Sequence, residues 1–491
     1  MIDLQALTRY PVDPSQIGSP DWWLVQLEAA MVVKRSHHDR LWRYGTGDSL
    51  LMDIAPTVRE SYVAFQKRAR TNFAGLAVEA MLDLMHECGV RTGAEGDTYG
   101  DALAWDMWQA NELDANMPAL RRACFVMGEA FATVGDVDPE VGAPLVTIED
   151  PRNMAAARDP LRRRKLRATC KIFADEWTGK DHAYVTLRGD LIGPNAPTMV
   201  WRAERTSATG MGFGGGSWEW VGDPQRLPFR RMPTVWYPNL LDIDGKTTWG
   251  EFEQHTDVID RINTTTLQRL VIAAMQAFRQ RVLKNLPTHD ETGAVIDYEG
   301  VFTADPAALW MVPEGVEVWE SAAVDLSPLL HANRDDVKDF AAVLRTPLPA
   351  LSPDAANQSS ANTELVKSGH VAKCIDRIAA MSESDEEVIS LMFLWMGDEV
   401  RASRRDMEML WVPPNLPSMS ERYDAAAKAT AAGVPRDWVL LNLVGMSPQE
   451  LSRMVAAEAA QEAAEPPEPV GVASDASDDP EGPEGPDSSA E

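Results

Sequence analysis

The sequence has few cysteines and no long apolar run. Its four cysteines, Cys88, Cys124, Cys170 and Cys374, are scattered, and no two are spaced as a zinc motif. This distribution predicts buried free thiols in a reducing compartment. No apolar stretch approaches the ~18 residues of a membrane span. The N-terminus has no basic region followed by an apolar core, so no signal peptide is predicted.

Positive charge is also scarce. The 491 residues contain 46 Lys and Arg against 75 Asp and Glu, for a formal net charge of −29. Wrapping nucleic acid by neutralising its phosphates needs clustered Lys and Arg, so this balance excludes that mode of binding. Residues 462–491 alone hold ten acidic residues, six prolines and no Lys or Arg. This segment is therefore predicted to be a disordered tail.

Catalytic and cofactor motifs are lacking as well. The glycine cluster at residues 210–216 is followed by neither Lys-Ser nor Lys-Thr, so it fits no P-loop and is predicted to be a hairpin tip. The adjacent His37 and His38 are predicted to be an exposed pair rather than metal ligands. His255 and His331 each have acidic neighbours and could be drawn as acid-base pairs. Their position on solvated helix faces explains the same pattern at least as well. No serine or cysteine sits in a nucleophile motif, and no cofactor is expected.

The chain is organised around residues 247–363. Thr248 and Glu251 are spaced as a capping box and basic residues lie near the far end, which predicts one helix over residues 250–284, about 50 Å long. Residues 270–278 are apolar on nearly every face of that helix. Such a segment must be covered on all sides, and neighbouring subunits are one source of cover.

A short β-containing excursion and a return helix are predicted next. Strand candidates at residues 308–312 and 316–319 flank a Pro-Glu-Gly turn. Ser327 and Pro328 then predict the start of a helix of roughly 18 residues, which must stop before Pro347. The proline-bounded polar stretch that follows is predicted to be a non-helical functional loop.

The rest of the sequence predicts an α+β body. Helical patterns fill much of the first 131 residues, opened by Ser19 and Pro20. They resume over residues 362–381, and a further helix up to residue 396 is predicted where Ser384 and Glu387 are spaced as another capping box. Ser447, Pro448 and Glu450 are predicted to begin the last helix. Short β-branched runs between turn residues predict strands in the middle of the chain. These strands are predicted at residues 144–148, 169–177, 183–187, 198–203, 217–221 and 234–236.

Residues 162–167 form the one dense basic run, with Arg162, Arg163, Arg164, Lys165 and Arg167. In an acidic protein such a run favours an intersubunit or surface salt-bridge site. Contact with phosphate or with an acidic partner surface is the alternative.

Taken together, the order and spacing of short landmarks resemble the portal proteins of tailed bacteriophages, the ring-forming head-tail connectors, over roughly residues 42–450. Ser360, Ala361 and Asn362 depart from the Ser-Ala-Glu that often occurs there in the family. The landmarks are Trp-Arg-Tyr-Gly at residues 42–45, Asn72 with Val78, Trp-Gln-Ala-Asn-Glu-Leu-Asp at 108–114, Gly-Glu-Ala-Phe at 128–131, Asp-Pro-Arg at 150–152, Met-Pro-Thr-Val-Trp-Tyr-Pro-Asn at 232–239, Asp-Arg-Ile-Asn at 260–263, Ala-Leu-Trp-Met-Val-Pro-Glu-Gly at 308–315, and Arg-Thr-Pro-Leu-Pro at 345–349 followed by residues 357–364.

The resemblance implies the α+β portal fold, with a helical and β wing, a two-helix stem, a small β-containing clip, a tunnel loop and a helical crown. The implied boundaries are 1–239 for the N-terminal part of the wing, 240–284 for the first stem helix, 285–321 for the clip, 322–345 for the second stem helix, 346–362 for the tunnel loop, 363–411 for the C-terminal wing helices, 412–461 for the crown and 462–491 for the acidic tail.

The resemblance also implies a structural role without enzymatic activity. Family members form a homo-oligomeric ring, usually a dodecamer, at one capsid vertex of the virion. They assemble in the host cytoplasm, nucleate the procapsid and carry double-stranded DNA through a channel during packaging and ejection. The implied partners are the terminase large subunit, a head-tail adaptor, scaffold and major capsid protein, and no membrane.

The expected site residues follow from this comparison. Polar loop tips in a channel with few fixed cations let DNA slide without trapping its phosphates. The expected channel residues are Asn357, Gln358, Ser359, Ser360 and Lys284, and the expected clip interface residues are Asp290, Tyr298, Trp310 and Glu314. Two alternatives stay open: a minor or internal capsid protein, and a metal-dependent nuclease, for which the scattered acidic residues show no motif.

Overall fold

The computed structural model describes most of the chain. The described residues are 9–49, 60–94, 99–206, 216–277, 281–289, 292–298, 312, 314–320, 324–351, 360–403, 405–415 and 419–464. Helices make up 47% of the structure and strands 20%. The predicted α+β class is therefore confirmed.

Helices predominate toward both ends of the described residues, after a short strand at the start. A 3₁₀ turn at Glu253–His255 precedes α7, and a π turn at Leu440–Val444 follows α12. In chain order the helices are α1 (Pro20–Gly45), α2 (Glu60–Ala69), α3 (Phe73–Leu82), α4 (Ala102–Ala110), α5 (Leu113–Met127), α6 (Gly189–Ile192), α7 (Thr256–Ala277), α8 (Ser327–Val343), α9 (Leu348–Leu351), α10 (Ser360–Trp395), α11 (Met419–Ala431), α12 (Arg436–Val439) and α13 (Pro448–Ala464).

The strands lie mostly between α5 and α7, as predicted, and every pairing among the described strands is antiparallel. They are β1 (Arg9–Pro11), β2 (Glu87–Arg91), β3 (Glu129–Asp138), β4 (Ala143–Glu149), β5 (Met154–Arg158), β6 (Leu166–Asp175), β7 (Lys180–Leu187), β8 (Met199–Thr206), β9 (Glu219–Val221), β10 (Gln225–Arg226), β11 (Thr234–Pro238), β12 (Arg281–Lys284), β13 (Glu317–Glu320) and β14 (Glu408–Trp411). The largest sheet has the order β1-β9-β8-β7-β6-β5, with β10 on β8, and the smaller sheets are β11-β3-β4, β12-β13 and β14-β2.

The two largest apolar cores hold most of these elements together. In the first, one face of α1 packs on the largest sheet through buried side chains such as Trp23, Leu24 and Trp220. In the second, the β11-β3-β4 sheet packs on α5 and α10, and α3 packs on α5, with Phe125 and Phe393 fully buried. Each sheet and each helix has an apolar face that it can bury only against another element. The sheets and helices therefore pack face to face as layers.

Several helix starts follow the capping chemistry of the sequence. Ser19 Oγ accepts a hydrogen bond from the Trp22 backbone N–H at 3.1 Å, with Pro20 in the first turn of α1. At the start of α13, Ser447 and Glu450 form a reciprocal capping box. These two predicted starts are confirmed.

The predicted helix over residues 250–284 is wrong at both ends. It begins at Thr256 and ends at Ala277, and the chain then forms the strand β12 instead of continuing as helix. The predicted capping box fails because the Glu251 side chain is buried against α10. The spacing of Thr248 and Glu251 fits a helix cap, but the Glu251 carboxylate forms ion pairs with Lys373 and Arg377 instead.

Two further predictions need correction. Residues 360–395 form one continuous helix, because Ser384 and Glu387 do not cap a new helix. Ser384 Oγ donates to the Trp236 carbonyl, and Glu387 binds Lys165 just before β6 and Arg231 before β11. The segment after Pro347 contains the one-turn helix α9 before the described chain breaks at residue 352.

A buried charge cluster joins α5 to α10 and β2. Arg121 is fully buried and pairs with Glu87 and, at 3.4 Å, with Asp385, which also accepts a hydrogen bond from the Tyr237 hydroxyl at 2.8 Å. The Arg121 guanidinium lies 4.6 Å from the Trp411 ring centroid. Burial raises the pKa of the Asp385 carboxyl above its usual range, although the positive charge of Arg121 opposes that shift.

Replacing Arg121 is therefore expected to be far more costly than replacing its neighbour in sequence. Arg121→Met leaves two buried carboxyl groups without their cation and should lower the free energy of unfolding by about 3 to 5 kcal/mol. Arg122→Met breaks an ion pair with Glu79 whose side chains are 40% and 43% exposed, and should cost at most about 1 kcal/mol. Urea unfolding followed by circular dichroism compares the two variants, and equal losses would contradict the assignment.

Candidate assembly and channel elements

Helices α7 and α8 lie side by side. Asn333 on α8 donates from Nδ2 to the Ile262 carbonyl at 3.2 Å and to Thr266 Oγ1 at 3.1 Å, both on α7. Closer to solvent, the Arg261 guanidinium pairs with Asp336 at 2.9 Å. Polar contacts thus fix the relative position of two helices that also share an apolar seam.

The second half of α7 is incompletely covered within one chain. Leu270, Val271 and Ile272 are each only partly buried, and Leu330 on α8 is 37% exposed. A helix segment that is apolar on most faces is stable when other surfaces cover it. The single chain therefore leaves apolar helix surface for a partner to bury.

The two-stranded ribbon formed by β12 and β13 is exposed on both faces. Val282 lies opposite Trp319, and Leu283 lies opposite Val318, so the two pairs point to opposite faces. Val282 is 45%, Val318 46% and Trp319 49% exposed. A lone two-stranded ribbon is marginally stable in water. Among the described residues no third strand extends this ribbon, so its apolar side chains are available for further contacts.

Four of the predicted channel and clip residues lie in described segments. Lys284 is the last residue of β12, not the end of a helix as predicted, and Glu314 is exposed in the turn just before β13, so the ribbon brings these two near one end. The Tyr298 hydroxyl donates to the Pro287 carbonyl at 2.8 Å. Ser360 is the first residue of α10. Outside the described residues lie Asn357, Gln358, Ser359, Asp290 and Trp310.

The point where α8 ends is clamped onto α10. Arg345 has a φ of 52°, a left-handed conformation that reverses the chain before α9. Its carbonyl lies 3.0 Å from His370 Nδ1, and Lys373 Nζ donates to the Leu344 carbonyl at 3.0 Å. The segment that precedes residues 352–359 is therefore anchored at a defined position.

Glu251 completes this clamp. Its carboxylate, almost fully buried, lies 2.7 Å from Lys373 Nζ and 2.5 Å from Arg377 Nε. Burial alone would raise the pKa of Glu251, but the two cations outweigh that effect and hold the pKa below its usual value. No local sequence pattern reveals this cluster, because Glu251 lies 126 positions before Arg377.

The histidines and the basic run occupy several environments. His37 is half exposed and lies 2.8 Å from Glu253, whereas His38 is buried, so the predicted exposed pair is wrong for His38. Burial lowers the pKa of His38. Within the basic run, Lys165 forms a salt bridge at 2.5 Å with Glu387, inside the same chain.

Neither the cysteines nor the acidic residues form a described metal centre. Within the described ranges, no group of three or more His, Cys, Asp or Glu side chains is placed to hold a metal ion. The thiols are free: Cys124, Cys170 and Cys374 are buried, and Cys88 is partly buried rather than fully buried as predicted. Burial raises the pKa of Cys88 and Cys374 to about 11. None of the described helices combines the length and hydropathy of a bilayer-spanning segment.

The Glu251 clamp predicts a pH-dependent loss of stability. Because its pKa is lower in the folded chain, Glu251 stabilises the fold above the unfolded pKa of about 4.3, and this contribution is lost as pH falls through the folded pKa. Glu251→Gln should therefore lower the free energy of unfolding at pH 7 by several kcal/mol, on the order of 3. The difference from the unsubstituted chain should shrink only below about pH 4.3.

Urea unfolding between pH 3 and pH 7 tests this expectation. Glu399→Gln, at an exposed position on the turn after α10, is the matched control and should leave stability unchanged across the range. A Glu251→Gln penalty that is the same at every pH would show that the carboxylate charge is not what stabilises the clamp.

Comparison with known proteins places this geometry in a family. The family model described as phage portal protein, SPP1 Gp6-like, matches residues 32–464. The portal protein of Mycobacterium phage D29 is 27% identical over 374 residues, covering 71% of this chain and 72% of that protein. The portal protein of Mycobacterium phage L5 is 25% identical over 412 residues, covering 79% and 78%.

A solved neck of a native gene transfer agent particle, computed with C12 symmetry, is 14% identical with a TM-score of 0.40 and covers 78% of this chain and 94% of that one. The family match extends over most of the sequence, from within α1 to the end of α13. The chain therefore belongs to the SPP1 Gp6-like family of phage portal proteins.

Proposed function

We propose that this protein forms the ring-shaped portal at one vertex of a phage capsid, through which double-stranded DNA is packaged and ejected. The observation that carries the proposal is the family match over residues 32–464. The family's role as head-tail connector suggests the function. Helices α7 and α8 and the β12-β13 ribbon are the elements of this chain that would carry it out.

Uncovered apolar surface supports a homo-oligomeric ring. The ribbon residues Val282, Val318 and Trp319 are roughly half exposed, and the apolar half of α7 is only partly covered. Repeating one chain around an axis covers both features at once, because each copy presents one face to each neighbour. A dodecamer is the number that the family resemblance implies.

In the proposed ring, α7 and α8 form the stem, the ribbon belongs to the clip, and residues 346–362 form the tunnel loop. The clamp of Arg345 and Leu344 on α10 would hold the base of that loop in place while its tip meets DNA. The proposed channel residues are Asn357, Gln358, Ser359, Ser360 and Lys284. Polar tips in an acidic protein bind phosphates weakly, which suits DNA that must keep moving.

The clip is the proposed docking surface for the terminase large subunit and later for the head-tail adaptor. Its proposed contact residues are Asp290, Tyr298, Trp310 and Glu314. Scaffold and major capsid protein are the proposed partners during procapsid assembly, which the ring would nucleate in the host cytoplasm before entering the virion. No catalytic step is assigned to the portal itself, and the terminase would supply the energy that moves the DNA.

The ribbon predicts where ring assembly fails. Trp319→Asp puts a charge into the interface that the proposed ring buries and should shift purified protein from rings toward small species. Trp177→Asp is the control, since Trp177 is 98% exposed at the tip of the β6–β7 hairpin, and should leave rings intact. Light scattering and negative-stain images measure both variants. A protein that stays monomeric without substitution and cleaves DNA with Mg²⁺ would contradict the portal role.

The proposed tunnel loop predicts a packaging defect of a different kind. Asn357→Lys combined with Gln358→Lys places fixed cations where DNA slides, so rings should still form while the DNA protected from nuclease inside particles falls severalfold. The same change of charge at Gln225→Lys, on the exposed strand β10, should leave packaging unchanged. Full packaging with the loop variant would remove residues 357 and 358 from the channel.

A further inference from the structure

A cationic cleft in the described chain is not used by the stem, the ribbon or the loop. It is a cleft of about 660 Å³ between the start of β6, the segment before β11 and the middle of α10. Its ionisable lining residues are six cations and three acids. The cations are Arg162, Arg164, Lys165, Arg188, Arg230 and Arg231. A positive cleft is unusual in a chain with a net charge of −29.

Part of this charge is neutralised inside the cleft. Arg188 pairs with Asp159 at 2.7 Å and with Asp190 at 2.6 Å. Glu387 is shared by Lys165 at 2.5 Å and Arg231 at 3.2 Å. These pairs use all three acidic residues of the lining.

Two cations at the rim have no carboxylate partner among the described residues. Arg162 is exposed, and Arg230 is exposed and donates only to the Pro194 carbonyl, at 2.8 Å. Arg164, deeper in the cleft, donates to the Ala380 carbonyl and to Ser384 Oγ, both at 2.9 Å. Arg162 and Arg230 therefore present positive charge at the rim of the cleft, where an anionic ligand can reach it.

The same chain carries a segment of the matching charge. Residues 465–491 contain nine Asp and Glu and no Lys or Arg, and they follow directly on α13. A chain of 27 residues spans up to about 90 Å when extended, so its far end can reach surfaces well away from α13. Tethering also raises its effective concentration to the millimolar range, above that of a free acidic ligand.

We infer that the basic cleft is the docking site of the acidic C-terminal segment, residues 465–491, of the same chain or of a neighbouring copy. The segment binds through carboxylates spaced among prolines and glycines, which allow it to follow the rim without forming a helix. The contact is electrostatic and therefore salt-dependent. Docking would also screen the cleft from the phosphates of passing or packaged DNA.

A distance measurement in the full-length chain tests this inference. Leu161→Cys, at a cleft residue that is 91% exposed, and Ser477→Cys in the segment accept spin labels, and pulsed electron resonance reports their separation. A defined short distance is expected in low salt. It should disappear in 0.5 M salt and in the Arg162→Glu, Arg230→Glu variant, where the docked population falls roughly tenfold because two attractions become repulsions.

Arg226→Glu is the matched control, because Arg226 is an exposed arginine on β10 outside the cleft, and it should keep the short distance. Dilution with unlabelled copies before assembly separates the two sources: a distance within one chain survives, and a distance between copies is lost. Circular dichroism confirms that the charge variants fold alike.

Two results would overturn the inference. A broad distance distribution that is identical with and without Arg162→Glu and Arg230→Glu means that the segment does not dock. If the same substitutions abolish binding of a fluorescent DNA duplex while the distances stay broad, the cleft is a phosphate site instead. Both results are independent of ring formation, so they leave the proposed function untouched.

Discussion

Buried charged side chains on α10 are stable only when they pair with opposite charges from other parts of the chain, and this constraint organises the structure. Lys373 and Arg377 bind the buried Glu251 just before α7, and Asp385 binds the buried Arg121 on α5. Glu387, which is only partly buried, binds Lys165 beside the large sheet. An unpaired buried charge costs several kcal/mol, so each pair fixes its element within a few ångströms. One 36-residue helix thereby helps to position the start of α7, helix α5 and the edge of the large sheet.

The parts of the fold that depend on local chemistry could be predicted from sequence. Ser19 and Pro20 start α1, Ser447 and Glu450 start α13, and the β-branched runs between turn residues became strands close to their predicted bounds. Each of these signals acts within four residues or on the period of one element. The α+β class followed from them directly.

The incorrect structural predictions concern side chains that contact residues far away in the sequence. Glu251 and Ser384 have the spacing of caps, but each bonds to an element far away in sequence. His38 looks like an exposed helix residue until the packing of α1 on the sheet buries it. For the site, the resemblance named channel and clip residues, whereas the clamp of His370 and Lys373 on the end of α8 was visible only in the folded chain.

The four thiols have a consequence for the chemical durability of the proposed particle. Peroxides and disulfides react with the thiolate, and burial keeps Cys88 and Cys374 protonated, with pKa values near 11. Cys124 and Cys170 are more deeply buried, and their pKa values are raised further. Burial and protonation therefore slow the reaction of these thiols with oxidants, least so at Cys88, which is only partly buried.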